Sequence, residues 1–175
     1  FLLDTGPEFQ AEDLVRNLRR EGVNRLDALI LSHPDAQHIG AARVILQQVP
    51  TGGLWVPQVL WTSPVMKATL QAAETAGVPV RRLQAGAAGD WPGGLWWEVL
   101  WPPEKMKMTC ADDASLVLRV ARFGVSVIVA GDLGGDPEKV LAHGAASVAG
   151  AVLVAGRHGD AAATFDVQVP ADEGA

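Results

Sequence analysis

Leu26-Asp27-Ala28-Leu29-Ile30-Leu31-Ser32-His33-Pro34-Asp35-Ala36-Gln37-His38-Ile39-Gly40 holds the reading that decides the fold. Residues 26–31 form an apolar run of strand length with branched side chains. A polar loop follows at once, bringing His33, Asp35 and His38 within six residues of one another. Imidazole nitrogen and carboxylate oxygen bind borderline and hard divalent cations, so this is ligand chemistry on a short loop. Pro34 keeps the chain from running straight into a helix after His33. Gly40 lets the following backbone pack closely. Taken alone the loop also suits a solvated turn, because a motif is a hypothesis until its context is known.

Working outward, the first half of the chain alternates between strand and helix. Phe1-Leu2-Leu3 reads as a strand that stops at the turn Asp4-Thr5-Gly6-Pro7. Residues 11–20 read as a helix with Ala11, Leu14, Val15 and Leu18 on one face, acids at its start and arginines toward its end, before Gly22. Residues 39–49 look helical, and Leu54-Trp55-Val56 is a short strand. Ser63-Pro64 starts another helix, with serine as cap and proline in the first turn, running to about Ala76 before Gly77. Val78-Pro79-Val80 returns to the sheet. That alternation predicts helices packed on a largely parallel sheet.

The texture changes at Gln84. Residues 85–94 are small, glycine-rich and turn-like, followed by strand-like segments at 95–101, 115–121 and 125–130. Arg122-Phe123-Gly124 is short enough for a hairpin. A helix at about 137–143 precedes the apolar strand Ala151-Val152-Leu153-Val154, and Phe165 to Val169 reads as a weaker last strand. The six tryptophans read as core or rim packing, with base stacking by an exposed member of the 91–101 group as the lesser alternative. Residues 1–170 are expected to be one domain and 171–175 a frayed tail.

Composition narrows the function classes. Of 175 residues, 49% are hydrophobic and 19% charged, which is a globular balance. Fourteen basic against 20 acidic side chains give a net charge of −6, so a broad basic footprint for nucleic acid is missing. Any such contact must be local, or carried by metal ions or neighbouring domains. A single cysteine, Cys110, excludes an internal disulfide and thiolate zinc sites. No apolar run approaches the roughly 20 residues of a spanning helix, and no leader ends in a cleavage signature. The chain is expected to be soluble as a fragment of a larger protein, since it starts abruptly on an apolar strand.

Two further polar loops leave the carboxyl ends of apolar strands. Asp132 sits in Gly131-Asp132-Leu133-Gly134-Gly135 after the strand at 125–130, and His158 in Gly156-Arg157-His158-Gly159-Asp160 after that at 151–154. In layered α/β sheets, ligand sites collect at those ends. Asp132 alone could be a turn aspartate and His158 alone a surface histidine. His143, near a helix end, is read as structural.

In order, Leu3-Asp4-Thr5-Gly6-Pro7, the loop 31–40, Asp113-Ala114-Ser115-Leu116-Val117-Leu118-Arg119, Ala130-Gly131-Asp132 and Arg157-His158-Gly159 make the chain recognisable. Over about residues 1–160 it resembles the metallo-β-lactamase-like domain of ComEC-type competence proteins, which serve bacterial DNA uptake. That resemblance implies an αββα sandwich, here without the family's first N-terminal strands, and a metal site on one edge holding zinc or manganese at one or two positions, or none. It implies His33, Asp35, His38, Asp132 and His158 as metal ligands, with Asp35, Asp132 and His158 closest to catalysis, and Gln37, Asp113 and Arg157 as supporting or substrate-facing residues. The activity implied is hydrolysis of phosphodiester bonds in the DNA strand that is not imported, on water activated by metal. Its partners would be single-stranded DNA and a membrane channel domain of the same parent protein, with no cofactor nucleotide, at the extracytoplasmic face of the cytoplasmic membrane.

Two departures stand against catalysis. Where the family's loop generally reads His-x-Asp-x-Asp-His, the second aspartate is Gln37, a poorer ligand that also removes a negative charge. Arg157 stands where a histidine is common, and a guanidinium cannot ligate a metal. A degenerate, non-catalytic module for DNA handling or channel assembly is therefore the alternative. A third is a relative acting on a small phosphodiester, to which the missing basic surface points.

Overall fold

Four parallel strands, β1 (Leu2–Leu3), β2 (Leu29–Ile30), β3 (Leu54–Pro57) and β4 (Val80–Leu83), form one sheet in sequence order. Five more, β5 (Ala88–Trp91), β6 (Leu95–Trp101), β7 (Val117–Arg122), β8 (Val125–Val129) and β9 (Val152–Val154), form a second. Pairing is antiparallel from β5 to β8 and parallel between β8 and β9. The computed structural model describes residues 1–59, 63–105, 107–144 and 152–154, the side chains of 142–144 excepted.

Three apolar clusters make the layers. Ala28, Ile30 and Leu83 of the first sheet meet Trp97, Val99, Leu116 and Leu118 of the second, filling the space between the sheets. The outer face of the first sheet packs Leu29, Leu31, Leu54 and Val56 against α1 (Ala11–Arg20), α3 (Ala42–Gln48) and α4 (Pro64–Thr75). On the far side, Val117, Ile128 and Trp101 pack against Leu141 of α5 (Gly135–Gly144). Helix, sheet, sheet, helix is the expected sandwich. Fully burying each such Leu or Ile contributes roughly 1.5–3 kcal/mol, so these interfaces dominate the stability of the fold.

Local signals place the helices. Helix α1 spans the anticipated residues, with Glu12 and Asp13 in its first turn and Arg19 and Arg20 in its last. The Ser63 hydroxyl accepts the Met66 N–H at 3.0 Å, and Pro64 opens α4. Residues 39–49 are not one helix. A four-residue helix, α2 (Ala36–Ile39), starts earlier because the Asp35 carboxylate accepts the Gln37 N–H at 2.7 Å, and α3 resumes after Gly40 and Ala41.

The segment 85–94 departs from expectation more sharply, because four of its ten residues form strand β5, hydrogen-bonded to β6. Gly89 marks the reason. A Cβ there would lie 3.0 Å from the Trp97 ring, so the indole lies flat on a bare backbone that reads locally as loop. Trp97 and Trp101 are buried, Trp55, Trp91 and Trp96 partly so, which fits core and rim packing for these five, while Trp61 lies outside the described residues. Arg81 lies 5.2 Å from both the Trp55 and Trp97 ring centroids and covers the end of the inter-sheet core. Among the described residues no helix is long and apolar enough to cross a membrane. The last expected strand, 165–169, and the tail 171–175 lie outside the described residues.

Candidate metal centre

Asp4, Ser32, His33 and Asp132 each follow the end of a strand, and α2 carries His38 back over them. The turn after β1 clasps that helix. Thr5 and Gly6 both donate backbone N–H groups to the His38 carbonyl, at 2.7 and 2.9 Å, and the Gly6 carbonyl accepts the Ala41 N–H at 3.0 Å. The second sheet is tied in by the Leu116 N–H, which donates to the Ser32 carbonyl at 2.8 Å. Ser115 Oγ accepts the Asp132 N–H at 3.2 Å. Gly131, at φ +57°, lets the chain turn into the site, where a Cβ would meet Ser32 Cβ at 3.0 Å and Ser115 Cβ at 3.2 Å.

His33, His38 and Asp132 converge, each offering one ligand atom within 4.8 Å of the others. Nε2 of His33 lies 3.5 Å from Asp132 Oδ2, and Nε2 of His38 lies 3.3 Å from Asp132 Oδ1. Donors about 2.0–2.1 Å from a tetrahedral zinc stand roughly 3.3 Å from one another. The rings of the two histidines are 4.3 Å apart and tilted by 54°. His33 is fully buried, and its Nε2 makes no hydrogen bond among the described residues. A buried nitrogen of that kind is costly unless something binds its lone pair. Two imidazoles and a carboxylate at these distances fit a divalent ion such as zinc or manganese.

The two histidines titrate in opposite directions. Burial, reinforced by His38, pushes His33 below the ordinary imidazole value of 6.5. His38 is held above 6.5, chiefly by its hydrogen bond to Asp4 and then, against the cost of burial, by the charges of Asp132, Asp4 and Asp35.

The remaining expected site residues fall elsewhere. Asp35 is exposed and spends one oxygen on the cap of α2, outside the three-donor cluster. The exposed Gln37 lies on the wall of a cavity of about 650 Å³ beside α2. Asp113 accepts hydrogen bonds from the Thr109 hydroxyl, the Thr109 N–H and the Cys110 N–H, clasping its own loop. Burial raises its pKa, but those bonds outweigh it and leave the carboxyl below the ordinary aspartate value. His158 and Arg157 lie outside the described residues, as does the His143 side chain.

Two residues matter that were not singled out as functional. Asp4, in the left-handed region at φ +54°, accepts the Ser32 N–H on Oδ1 at 2.8 Å. Its Oδ2 meets Ser32 Oγ at 2.6 Å and His38 Nδ1 at 3.3 Å. Ser32 Oγ in turn lies 2.9 Å from His33 Nδ1. The polar turn after an apolar strand was the visible signal for Asp4, and nothing local marked Ser32.

The chain has known relatives. A family model described as the metallo-beta-lactamase superfamily matches residues 1–169. The chain is 32% identical over 151 residues to "ComE operon protein 3" of Bacillus subtilis (strain 168), covering 86% of this chain and 19% of that protein. It is 30% identical over 161 residues to "Competence protein ComA" of Neisseria gonorrhoeae, covering 90% of this chain and 20% of that protein. The chain thus spans about a fifth of the length of the curated relatives it matches. A solved Cronobacter sakazakii structure described as "Metallo-beta-lactamse HARLDQ motif" aligns with a TM-score of 0.49 at 14% identity, over 77% of this chain and 50% of that one.

Proposed function

The chain belongs to the metallo-β-lactamase superfamily, and from that premise we propose that it is the metal-dependent phosphodiesterase domain of a competence protein, cleaving the DNA strand that is not imported. On this reading it sits on the extracytoplasmic face, joined to a membrane channel of the same protein, and takes single-stranded DNA as substrate. The observation that carries the proposal is the convergence of His33, His38 and Asp132 at strand ends. The two competence proteins it resembles supply the biological setting.

His33, His38 and Asp132 would hold the ion, with His158 as a further ligand by resemblance. When bound, it would supply Lewis-acid polarisation of a phosphoryl oxygen and activation of water. The protein does the rest. His33 closes the inner wall of the site and keeps water from it, since the residue is fully buried. Asp132 brings negative charge to both imidazoles. Asp4 anchors His38 from behind.

A second reading is favoured by one observation: Asp35 is turned outward to a helix cap, and the neutral Gln37 is exposed. With two of the expected loop positions not contributing a carboxylate, a non-catalytic module remains the competing reading. Equilibrating the full chain with zinc or manganese and counting retained ions by elemental analysis separates the two. Stoichiometric retention, with cleavage of single-stranded DNA that the His33→Ala variant lacks, is the expected result. No retained ion, and cleavage no greater than that of the variant, leaves the module.

Retention should also depend on pH in a definite direction. Protons compete with a metal for imidazole, and His38, held above 6.5, takes its proton first as pH falls. Equilibrium dialysis should therefore show zinc release beginning at a higher pH than an unperturbed histidine would give. His33, pushed below 6.5, resists protonation until the solution is more acidic.

A further inference from the structure

We propose that two turns at the end of the second sheet farthest from the metal cluster, Pro92-Gly93-Gly94 and Phe123-Gly124, form a lipid-contact surface. Phe123 enters the interface of an anionic bilayer while Arg122 meets its phosphates. The turns lie side by side. Trp91 pairs with Leu95, and Arg122 with Val125, as the outermost pairs of the two hairpins, and Trp96 of β6 pairs with Ala121 of β7. A Cβ on Gly93 would stand 3.7 Å from Arg122 Nη2. Just before β7 starts, the Leu116 N–H donates to the Ser32 carbonyl at the site, and the strand then runs to this tip. At the rise of an extended strand the two ends are roughly 20 Å apart.

Phe123 carries two costs at once. Its ring is 87% exposed, the most of any large apolar side chain among the described residues. Its backbone is left-handed, at φ +52°, in a two-residue turn whose second residue, Gly124, is also at positive φ. Such turns favour asparagine, aspartate or glycine in the first position, because a bulky side chain is strained there. Strain kept at an exposed aromatic points to a contact outside the chain. Its neighbours share the character: Val125 and Pro92 are exposed, and Leu95 and Trp96 are partly so.

The cations suit a lipid. Arg122 Cζ lies 4.6 Å from the Phe123 ring centroid, and Arg119 reaches along the sheet to 5.9 Å from that of Trp96. A ring beside a guanidinium sits well at a bilayer interface, its apolar part at the acyl boundary and its charge among the headgroups. A nucleic acid is the weaker fit. Its binding draws mainly on many phosphate contacts. Here apolar side chains outnumber arginines, the exposed Asp90 pairs with Trp96 one row behind the tip, and Glu98 pairs with Arg119. Docked by this end, the chain turns His33, His38 and Asp132 away from the bilayer. The surface needs neither metal nor cleavage, and so goes beyond the function proposed above.

The test is co-flotation of the full chain with vesicles of equal parts phosphatidylcholine and phosphatidylglycerol, against vesicles of phosphatidylcholine alone. The unsubstituted chain should bind the mixed vesicles, and the neutral ones less tightly. Phe123→Asn is the decisive variant, because Asn-Gly is the favoured pair for such a turn and the fold should be kept or strengthened. It should weaken vesicle binding roughly 10-fold or more, with Tm not lowered and zinc retention unchanged. Arg122→Gln should cost about 5-fold on the mixed vesicles and little on the neutral ones.

No binding of the unsubstituted chain to either vesicle overturns the proposal, as does equal binding by Phe123→Asn. Binding to a thymidine oligonucleotide that Phe123→Asn abolishes, without vesicle binding, overturns it in favour of a nucleic-acid contact. Vesicle binding without zinc retention keeps the lipid surface and removes the metal reading. Zinc retention with DNA cleavage but no vesicle binding does the reverse.

Discussion

Asp132→Asn is expected to abolish stoichiometric metal retention, lowering zinc affinity by more than the roughly 10–100-fold that loss of a supporting hydrogen bond costs. Three donors converge, and two of them are imidazoles that bind a metal in neutral form. Asp132 therefore supplies the cluster's negative charge, and its oxygens lie 3.5 and 3.3 Å from the two Nε2 atoms. The amide keeps the size and removes the charge. It also turns a donor toward one of two nitrogens whose lone pairs are needed. The backbone should be indifferent, because the Asp132 N–H bond to Ser115 Oγ involves no side-chain atom of Asp132. Thermal melting of the metal-free variant should match the unsubstituted chain within about 1 kcal/mol, the usual scale of a substitution that leaves packing intact. Retention unchanged in the variant, measured by dialysis, would mean the ion is held by other residues.

Gly40→Ala is expected to be the most destabilising small substitution in the described residues flanking the site. Its backbone is ordinary helical, at φ −56°, so conformational freedom is not the reason for glycine here. Space is. A Cβ would stand 2.5 Å from the Ala36 carbonyl oxygen, 2.5 Å from the Glu8 nitrogen and 3.0 Å from the Pro7 carbonyl carbon. All three are backbone atoms, so no rotamer change can make room. Forcing them apart costs about 3 kcal/mol, equivalent to a fall in Tm of roughly 6–12 °C for a chain of this size. The displaced segment holds the His38 carbonyl through Thr5 and Gly6, so metal retention should weaken alongside stability. Calorimetry showing a Tm change under 2 °C, within the span of about 1 kcal/mol, would refute the packing argument.

Much of the fold was legible because its signals are local. Ser63 and Pro64 start α4, Gly22 follows α1, and the alternation of apolar strand with amphipathic helix over 1–83 announces the parallel sheet. Strand β5 was not legible, because Ala88-Gly89-Asp90 lacks strand character of its own and is held by β6 and the Trp97 ring. Gly40 as a close-packing position could be read beforehand, since it follows a loop that has to turn back on itself.

The site divides along the same line. His33, His38 and Asp132 stood out because imidazole and carboxylate at strand ends are uncommon without purpose. Asp35 looked equally well placed, yet the start of a helix two residues on offered its carboxylate a backbone N–H at 2.7 Å. Capping is the ordinary use of aspartate in that position. Asp4 and Ser32 act across 28 residues of chain through the pairing of β1 with β2, and no spacing rule connects them.

His33 and His38 hang from the first sheet, whereas Asp132 hangs from the second. An ion gripped by all three would rivet the two halves of the sandwich at one rim. Loading would then stiffen the seam between layers whose shared interior is mainly greasy and non-directional, and a slip of one layer by a single residue would silence the chemistry while leaving each layer whole.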